Sequence, residues 1–447
     1  MAASRKLPSN KAIVAAVAGA LARHVPPHAR LTLALSGGLD SVVLLHALLA
    51  LRDQYPFSLQ AVHVHHGLSP HADDWAAFCA RLCAVHDVEL SIHRVRIARA
   101  DPDGIEAAAR RERQRIFAAL EVDFLVTAHH QDDQAETLLL QLLRGAGPKG
   151  LAAMAESRKR PGWRAIQLRP LLNVARADLL GAAREQGVAW VDDESNRDTR
   201  YRRNALRQQV MPLLARHFPG AGRTLSRAAA LQADAAELLD DLARLDAREA
   251  IAGDRLDCSV LSTLSIPRAR NLLRHFIERH GQTLPGMRRL DEALHQLREA
   301  QADARVRVNL GRMELWRYRG GAYLVAPGPH GTASVRWRGE AAIWVPAAGI
   351  TVRMEPTQGA GLSQAALAAG DVTLGVRRGG EHLRPHAGSS RRSLKNLLQE
   401  YGVPPWQRAR LPLMWCDDRL VWAAGIGFEA DLSAAPGEAG VLPHVEP

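Results

Sequence analysis

The sequence predicts an α/β protein whose first half folds as a doubly wound parallel sheet. Two observations support this fold class. Apolar, strand-like runs alternate with helical stretches from Leu31 to about Val126, and strands separated by helices form parallel sheets. The chain has 447 residues, enough for two or three domains. After Pro219 the alternation stops, which predicts a helical domain followed by a small α+β C-terminal domain.

The elements of the predicted sheet can be placed from their apolar patterns. Four strands and the helices between them lie in the part of the chain where apolar runs alternate with helical stretches. The predicted strands are Leu31–Leu35, Leu59–Val64, Leu90–Ile97 and Phe124–Ala128, and the clearest predicted helices are Ala72–Val85 and Ile105–Leu120.

The composition indicates which partners, metal motifs and cellular location are to be expected. The formal net charge is +11 and the pI is about 10.1, which favours a polyanionic partner, although an Arg-rich proteome would give the same totals. Four cysteines are too few for a disulfide framework and complete no zinc or iron–sulfur motif. The apolar run Ala12–Leu21 is shorter than a membrane span, so we expect a cytoplasmic protein.

The first predicted strand ends in a glycine turn that leads directly into a helix. This turn comprises Ser36, Gly37, Gly38, Leu39, Asp40 and Ser41. Glycines let backbone N–H groups approach a phosphate, and a helix N-terminus favours negative charge. Asp40 would repel a bare phosphate, so its presence favours a bridging Mg²⁺. An ordinary strand-to-helix turn is the alternative, but the full S-G-G-x-D-S pattern predicts a nucleotide site.

Polar clusters follow other strands at what should be the same edge of the sheet, where open α/β sheets bind ligands. One includes His63, which we expect to contact the nucleotide, and another runs from Thr127 to Thr137. The adjacent His129 and His130 make a poor zinc pair, because their rings would diverge on a helix. Asp133 and Glu136 share a helix face, so Asp133 would complete a Mg²⁺ site with Asp40, while Glu136 would hold a cationic substrate. Acids that merely stabilise a helix N-terminus are the alternative.

Basic segments form the third group of candidates, with a solvated charged face as the alternative in each case. One basic helix spans residues 104–115. Arginines interleaved with an aromatic residue suit phosphate contacts and base stacking. The candidate side chains for nucleic-acid binding are Arg202, Arg203, Asn204, Arg207, Arg377, Arg391, Arg392 and Lys395.

The SGGLDS turn resembles the PP-loop of the N-type ATP pyrophosphatases, which adenylate a substrate and release pyrophosphate. The blocks SGGLDS, VHVHHGL, GIEAAARRERQRIF, TAHHQDDQAETLLLQLLRGAGPKGLAAM and WVDDESNRDTRYRRNALR resemble, in order, those of the tRNA(Ile)-lysidine synthetase family. The resemblance is dense over residues 30–215. It departs at His65, where the family often has Asn, and at Asp73-Asp74, where glutamates are expected.

This resemblance implies a ligase that joins L-lysine to the wobble cytidine of tRNA(Ile) bearing a CAU anticodon, through an adenylated tRNA, with ATP and Mg²⁺. It implies catalytic roles for Asp40, Arg110, Asp133 and Glu136, with Arg110 meeting the nucleotide phosphates. It also implies an N-terminal catalytic domain (1–217), a mainly helical domain (218–326), a linker or strand-rich connection (327–370) and a C-terminal tRNA-binding domain (371–447). A homodimer stays open. A tRNA sulfur transferase, which would need reactive cysteines, and a non-catalytic RNA-binding protein are the alternatives.

Overall fold

The computed structural model describes residues 9–97, 101–102, 104–194, 198–300, 306–328, 331 and 333–446. The chain divides into two compact units, Met1–Leu238 and Leu239–Pro447. No helix within the described ranges is long and apolar enough to cross a membrane.

The first unit contains a six-stranded sheet in the order β3-β2-β1-β4-β6-β5. All neighbours pair in parallel except the edge strand β5, which is antiparallel to β6. The predicted parallel sheet is therefore confirmed. Its strands are β1 (Ala29–Ala34), β2 (Phe57–His65), β3 (Glu89–Arg94), β4 (Phe124–Val126), β5 (Ser157–Lys159) and β6 (Ile166–Leu168).

Helices cover both faces of this sheet. Within β4, Phe124 and Val126 face one apolar cluster, whereas Leu125 between them faces another. This alternation follows from the two-residue period of a strand, and it is why the strands read as continuous apolar runs. The helices of this part of the chain are α1 (Ser9–His24), α2 (Leu39–Leu49), α3 (Ala72–Val85), α4 (Ile105–Ala119), α5 (Gln131–Leu142), α6 (Pro148–Leu151), α7 (Arg176–Glu185), α8 (Arg202–Ala205), a π-helical segment (Leu206–Val210), α9 (Met211–His217) and α10 (Ala221–Ala250).

The second unit begins with helices packed on an antiparallel sheet in the order β7-β8-β11-β10-β9. Strongly amphipathic helices place Leu272, Phe276 and Leu294 in its apolar core. Its strands β9 to β11 coincide with three short β-like runs in the sequence, Val306–Leu310, Glu314–Tyr318 and Tyr323–Val325. These elements are β7 (Ile251–Ala252), β8 (Arg255–Asp257), α11 (Cys258–Thr263), α12 (Ile266–Arg279), α13 (Met287–Glu299), β9 (Arg307–Asn309), β10 (Glu314–Tyr318) and β11 (Gly321–Val325).

Two further antiparallel sheets, in the orders β12-β16-β19-β20-β21 and β13-β14-β22-β15, and a two-stranded ribbon complete the second unit. Four strands lie in the stretch 327–370, for which the sequence left a linker or a strand-rich connection open, and β14 pairs along its length with the last strand. The elements are β12 (Val335–Arg336), β13 (Ala342–Val345), β14 (Ile350–Gln358), β15 (Leu362–Ser363), α14 (Gln364–Ala368), β16 (Val372–Gly375), β17 (His382–Leu383), β18 (Arg392–Ser393), α15 (Leu394–Glu400), α16 (Pro405–Arg408), β19 (Leu413–Cys416), β20 (Arg419–Ala423), β21 (Gly427–Phe428), a 3₁₀ turn (Ala430–Leu432) and β22 (Ala439–Val445).

Candidate active site

The glycine turn after β1 is held in place by a distant segment of the chain. Gly37 has φ +84°, and a Cβ there would lie 2.9 Å from Val191 Cγ2 and 3.1 Å from Cys79 Sγ. The Val191 N–H donates to the Gly37 carbonyl (3.0 Å). Both the backbone conformation and the close approach therefore require glycine at position 37.

The two serines of the turn bond to the turn itself. Ser41 Oγ donates to the Gly38 carbonyl (3.0 Å), and the Gly38 N–H donates to Ser36 Oγ (3.3 Å). The two hydroxyl oxygens lie 3.1 Å apart. Helix α2 starts at Leu39 behind Gly38, which has no side chain with which to cap it. Its first N–H groups are therefore available to an anion, and the nucleotide site expected from the sequence stays a prediction.

Two of the predicted carboxylates converge on one histidine ring. His130 Nε2 lies 3.6 Å from Asp40 Oδ2 and 3.4 Å from Asp133 Oδ2. His130 is fully buried at the N-cap of α5, where its Nδ1 accepts the Asp133 N–H and the Asp133 carboxylate accepts the His130 N–H. This capping box fixes Asp133 and aims it at the glycine turn.

Among the three carboxylates of the site, the negative charge of Asp40 is balanced by the fewest hydrogen bonds and cations. Its Oδ1 is buried without a hydrogen-bond partner among the described residues, and the nearest cation, Arg176 Nε, is 3.9 Å away. Burial raises the pKa of Asp40, although His130 and Arg176 act in the opposite direction. An orphaned carboxylate oxygen beside a second carboxylate fits Mg²⁺, provided that phosphate and water supply the remaining ligands. The described side chains alone include no cluster of three or more metal-binding groups.

Asp133 and Glu136 are both bound by two arginines. Arg203 donates from Nε to Glu136 Oε2 (2.9 Å) and from Nη2 to Asp133 Oδ1 (2.8 Å). Arg207 donates from Nε to Glu136 Oε1 (2.6 Å) and from Nη2 to Asp133 Oδ1 (2.8 Å). The carboxylates are three residues apart on α5 and the arginines four apart on a continuous helical stretch, so each pair shares a helix face.

These ion pairs set the charge states of the site. Burial alone would raise the pKa of Asp133, but His130, Arg203 and other nearby cations lower it to about 2. Burial likewise works against the charge of Arg207, but Glu136 and Asp133 raise its pKa. The two carboxylates therefore form an anionic pocket that is filled by guanidinium groups at neutral pH.

Three histidines at this edge of the sheet are held neutral. His63 Nδ1 contacts the Leu35 carbonyl (2.9 Å) beneath the glycine turn, and burial lowers its pKa. Burial also lowers the pKa of His66 to about 4 and, helped by neighbouring arginines, that of His129 to about 3. His63 thus supports the turn from below, and its predicted contact with the nucleotide stays a prediction.

The remaining predicted residues lie outside this cluster of contacts. Arg110 is exposed on α4, Arg202 is exposed on α8, and Asn204 Nδ2 donates to the Asp198 carbonyl (3.0 Å). In the second unit, Arg377 pairs with Glu381, Arg391 with Glu429 and Arg392 with Glu400, while Lys395 is exposed on α15.

Three residues in or next to the site are not among the candidates that the sequence indicates. His130 was considered only as half of a weak zinc pair, Val191 is an apolar residue far along the chain, and Arg169 lies in a short Arg-Pro-Leu-Leu segment. Arg169 could have been found only from its position. It directly follows β6, which ends at the same edge of the sheet as β1, and residues at that edge bind ligands in open α/β sheets.

Comparison with known proteins covers nearly the whole chain. Residues 10–214 match a PP-loop domain, residues 256–323 a TilS substrate binding domain and residues 372–445 a TilS substrate C-terminal domain. The chain is 45% identical over 421 residues to the tRNA(Ile)-lysidine synthase of Azoarcus sp. (strain BH72). The aligned residues cover 94% of this chain and 92% of that protein. It is 42% identical to the protein of that name from Nitrosomonas europaea, with 94% and 93% covered. Among solved structures, the U34-tRNA thiolase NcsA from Methanococcus maripaludis matches 49% of this chain and 77% of its own, with 19% identity and a TM-score of 0.42.

Proposed function

Because the chain belongs to the tRNA(Ile)-lysidine synthase family, we propose that it uses ATP to ligate L-lysine to the wobble cytidine of tRNA(Ile) with a CAU anticodon. The observation that carries this proposal is the convergence of Asp40 and Asp133 on His130 beside the glycine turn. A phosphate-binding turn, two acids and an anionic pocket are the parts that adenylation followed by amine attack needs. These substrates favour a cytoplasmic location.

The proposed reaction has two steps. The cytosine 2-carbonyl oxygen attacks the α-phosphate of ATP, the bond to the β-phosphate breaks, and pyrophosphate leaves. The ε-amino group of lysine then attacks the cytosine C2 and loses a proton, while AMP departs with the original carbonyl oxygen. Activation is required because a carbonyl oxygen is a poor leaving group, whereas AMP is a good one. The target base is accessible because an anticodon loop is single-stranded.

The glycine turn and the carboxylates would divide the work of the first step. The uncapped N–H groups at the start of α2 suit the ATP phosphates. Asp40 and Asp133 would hold Mg²⁺, since Asp40 Oδ1 accepts no hydrogen bond among the described residues and Asp133 Oδ2 accepts one backbone N–H. When bound, the ion offsets charge that develops on the phosphates.

The pocket formed by Asp133 and Glu136 suits the lysine ammonium. A free ε-ammonium has a pKa of about 10.4, so lysine arrives charged and is attracted by buried carboxylates. In this structure, the guanidinium groups of Arg203 and Arg207 bind those oxygens. Lysine would have to share or replace these contacts, which ties its binding to movement of the helical stretch that carries the arginines.

Cysteine chemistry argues against sulfur transfer as the alternative. Cys79 and Cys83 are buried on α3, and burial raises their pKa values to about 12 and about 11. Thiolates, which sulfur transfer needs, are therefore strongly disfavoured at both positions.

The test is to incubate the purified chain with ATP, radiolabelled lysine and tRNA(Ile) bearing the CAU anticodon. We expect label to enter the tRNA, with one AMP and one pyrophosphate formed per lysine. The matched control is the methionine tRNA with the same anticodon, which should stay unlabelled. No label in tRNA(Ile), with ATP left intact, would refute the proposed function.

A further inference from the structure

Arg169 is a buried cation without an acid partner. Only 3% of the residue is exposed, and its guanidinium donates to the Ala155 carbonyl (2.7 Å) and to Gln167 Oε1 (2.5 Å), both neutral acceptors. Its Nε is buried with no partner in the part of the chain that the structure describes. The carboxylate of nearby Glu156 bonds to Arg23 and His24 instead. Burying a guanidinium without a counter-charge costs free energy, so its placement requires an explanation.

Three more arginines lie near Arg169, and one of them, Arg158, pairs across the β5–β6 hairpin with Gln167, to which Arg169 donates. Arg110, Arg158 and Arg160 all lie close enough to interact electrostatically with it, and Arg158 and Arg110 act on Arg160 in the same unfavourable sense. Burial and these neighbours lower the pKa of Arg169 to about 10, so it stays charged at neutral pH. Among the described residues, none of the four guanidinium groups forms an ion pair with a carboxylate. We call these four residues the arginine cluster.

The arginine cluster adjoins the candidate active site. Arg169 follows β6, which is parallel to β4, and the Thr127 N–H after β4 donates to the Leu168 carbonyl (2.9 Å). From Arg169 a chain of contacts runs through Gln167 and Thr127 Oγ1 to His129 Nδ1. His129 in turn precedes α5, which carries Asp133 and Glu136. Arg169 therefore lies at the same edge of the sheet as the glycine turn, and the arginine cluster extends from it along β5, where Arg158 pairs with Gln167 and Lys159 pairs with Ile166 at the start of β6.

We propose that the arginine cluster is a binding site for a phosphate group of the reaction's substrates, either a backbone phosphate of the tRNA or the pyrophosphate that leaves ATP. Guanidinium groups bind phosphate oxygens through paired N–H donors, and Arg169 has donors to spare. A dianion there would compensate four like charges for which the described residues supply no carboxylate, although Arg160 also stacks on the Trp163 ring (4.8 Å). The identity of the substrates rests on the function proposed above, whereas the phosphate chemistry rests on the cluster alone.

The experiment compares Arg158→Gln/Arg160→Gln with wild type and with Arg164→Gln. Arg158 and Arg160 lie nearer the surface than Arg169, so their substitution spares the buried hydrogen bonds. Arg164 is the matched control, because it is on the same β5–β6 hairpin and 70% exposed, but is already paired with Glu121 (2.5 Å). The double Lys variant at 158 and 160 keeps both charges and should retain most of the binding.

Two arms distinguish the phosphate sources. If the cluster binds tRNA, the double Gln variant should raise the tRNA Kd about tenfold near 0.1 M salt and reduce the salt slope by about one to two. If it binds pyrophosphate, the same variant should raise the inhibition constant of inorganic pyrophosphate about tenfold and leave the tRNA Kd unchanged. Both constants remaining equal to those of Arg164→Gln would overturn the proposal. Binding of tRNA and of pyrophosphate is measured without turnover. A wild-type protein that incorporates no lysine would therefore refute the proposed function, whereas the binding constants would still test the arginine cluster.

Discussion

The three carboxylates of the candidate site differ in how fully neighbouring cations balance their charge. Asp133 and Glu136 are each bound by two guanidinium groups, and the pKa of Asp133 falls to about 2 despite its burial. Asp40 has a raised pKa and an oxygen without a partner among the described residues. A positive ligand therefore gains most at Asp40, where the nearest guanidinium, that of Arg176, lies 3.9 Å away and forms no hydrogen bond with the carboxylate. This favours Asp40 as the residue that holds Mg²⁺ beside the phosphates.

Asp40→Asn should abolish formation of AMP and pyrophosphate, with a loss of at least about 100-fold in turnover, because a neutral amide binds Mg²⁺ poorly and offsets no developing charge. The affinity for tRNA should not change. The measurement is tRNA-dependent release of pyrophosphate, together with a tRNA binding titration. Asp53→Asn, an exposed substitution just beyond α2, is the control and should behave as wild type. Full turnover in the Asp40→Asn variant would exclude the metal role.

At the scale of elements, the glycine turn shows how far sequence reasoning reaches. The turn, the strand before it and the helix after it were all predictable, because local spacing determines them. Val191 was not, because its contact with Gly37 depends on how the chain returns after α7. The same limit applies to Arg203 and Arg207, whose charge predicted phosphate binding. Only the folded chain brings them to Asp133 and Glu136, and their contact with tRNA stays a prediction.

Gly37→Ala should lower stability and raise the KM for ATP by more than the strain of a positive φ alone would cause. An added Cβ must tolerate φ +84° and also displace Val191 or Cys79. Gly67→Ala is the matched control, because Gly67 also has a positive φ (65°) but no atom within 4 Å of the added Cβ. We expect about 1–2 kcal/mol of destabilisation in the control and a further ~1–3 kcal/mol in Gly37→Ala.

The two substitutions are compared by urea unfolding and by the KM for ATP. The KM should rise several-fold in Gly37→Ala and stay near the wild-type value in Gly67→Ala. Equal effects on stability and KM would show that Val191 does not constrain the turn.

At the scale of the whole molecule, the C-terminal basic tract is a folded part of the second unit. Within this tract, Pro404-Pro405-Trp406 separates clusters of arginines, a pattern that predicts a folded module which touches phosphates. In the structure, the Trp406 ring contacts Trp316, Tyr318 and Tyr323 of the β7–β11 sheet, with centroids 5.8, 6.0 and 5.0 Å apart. These partners are distant in sequence, so the sequence pattern could indicate a folded module but not that the Trp406 ring packs against the β7–β11 sheet.

Trp406→Ala should destabilise the second unit by about 2–3 kcal/mol, because three aromatic contacts and their buried area are lost together. Trp344→Ala is the matched control. Trp344 is 56% exposed on β13, and its removal should cost less than about 0.5 kcal/mol. Circular dichroism during urea unfolding measures both. A Trp406→Ala variant as stable as the control would show that the ring does not anchor α16.

The overall positive charge leads to a final prediction about Arg391, Arg392 and Lys395. Arg391 lies 3.6 Å from the buried Glu429, and Arg392 is 2.6 Å from Glu400, so part of their charge is already compensated. Exposed Lys395 has no acid partner among the described residues. If this tract contacts tRNA, Lys395 should contribute most, since an unpaired cation releases counterions from the phosphate backbone without first breaking an ion pair.

Lys395→Gln alone should therefore reproduce most of the loss of tRNA affinity seen when all three residues are changed to Gln, and should reduce the salt slope of binding by about 0.7–0.9. The measurement is a set of tRNA titrations between about 50 and 200 mM salt, concentrations at which such slopes are about linear. Arg353→Gln is the control, because Arg353 is exposed on β14 and paired with Glu446. If the triple variant keeps the wild-type affinity and slope, tRNA is held by other parts of the chain, and the positive charge of this tract serves its own ion pairs.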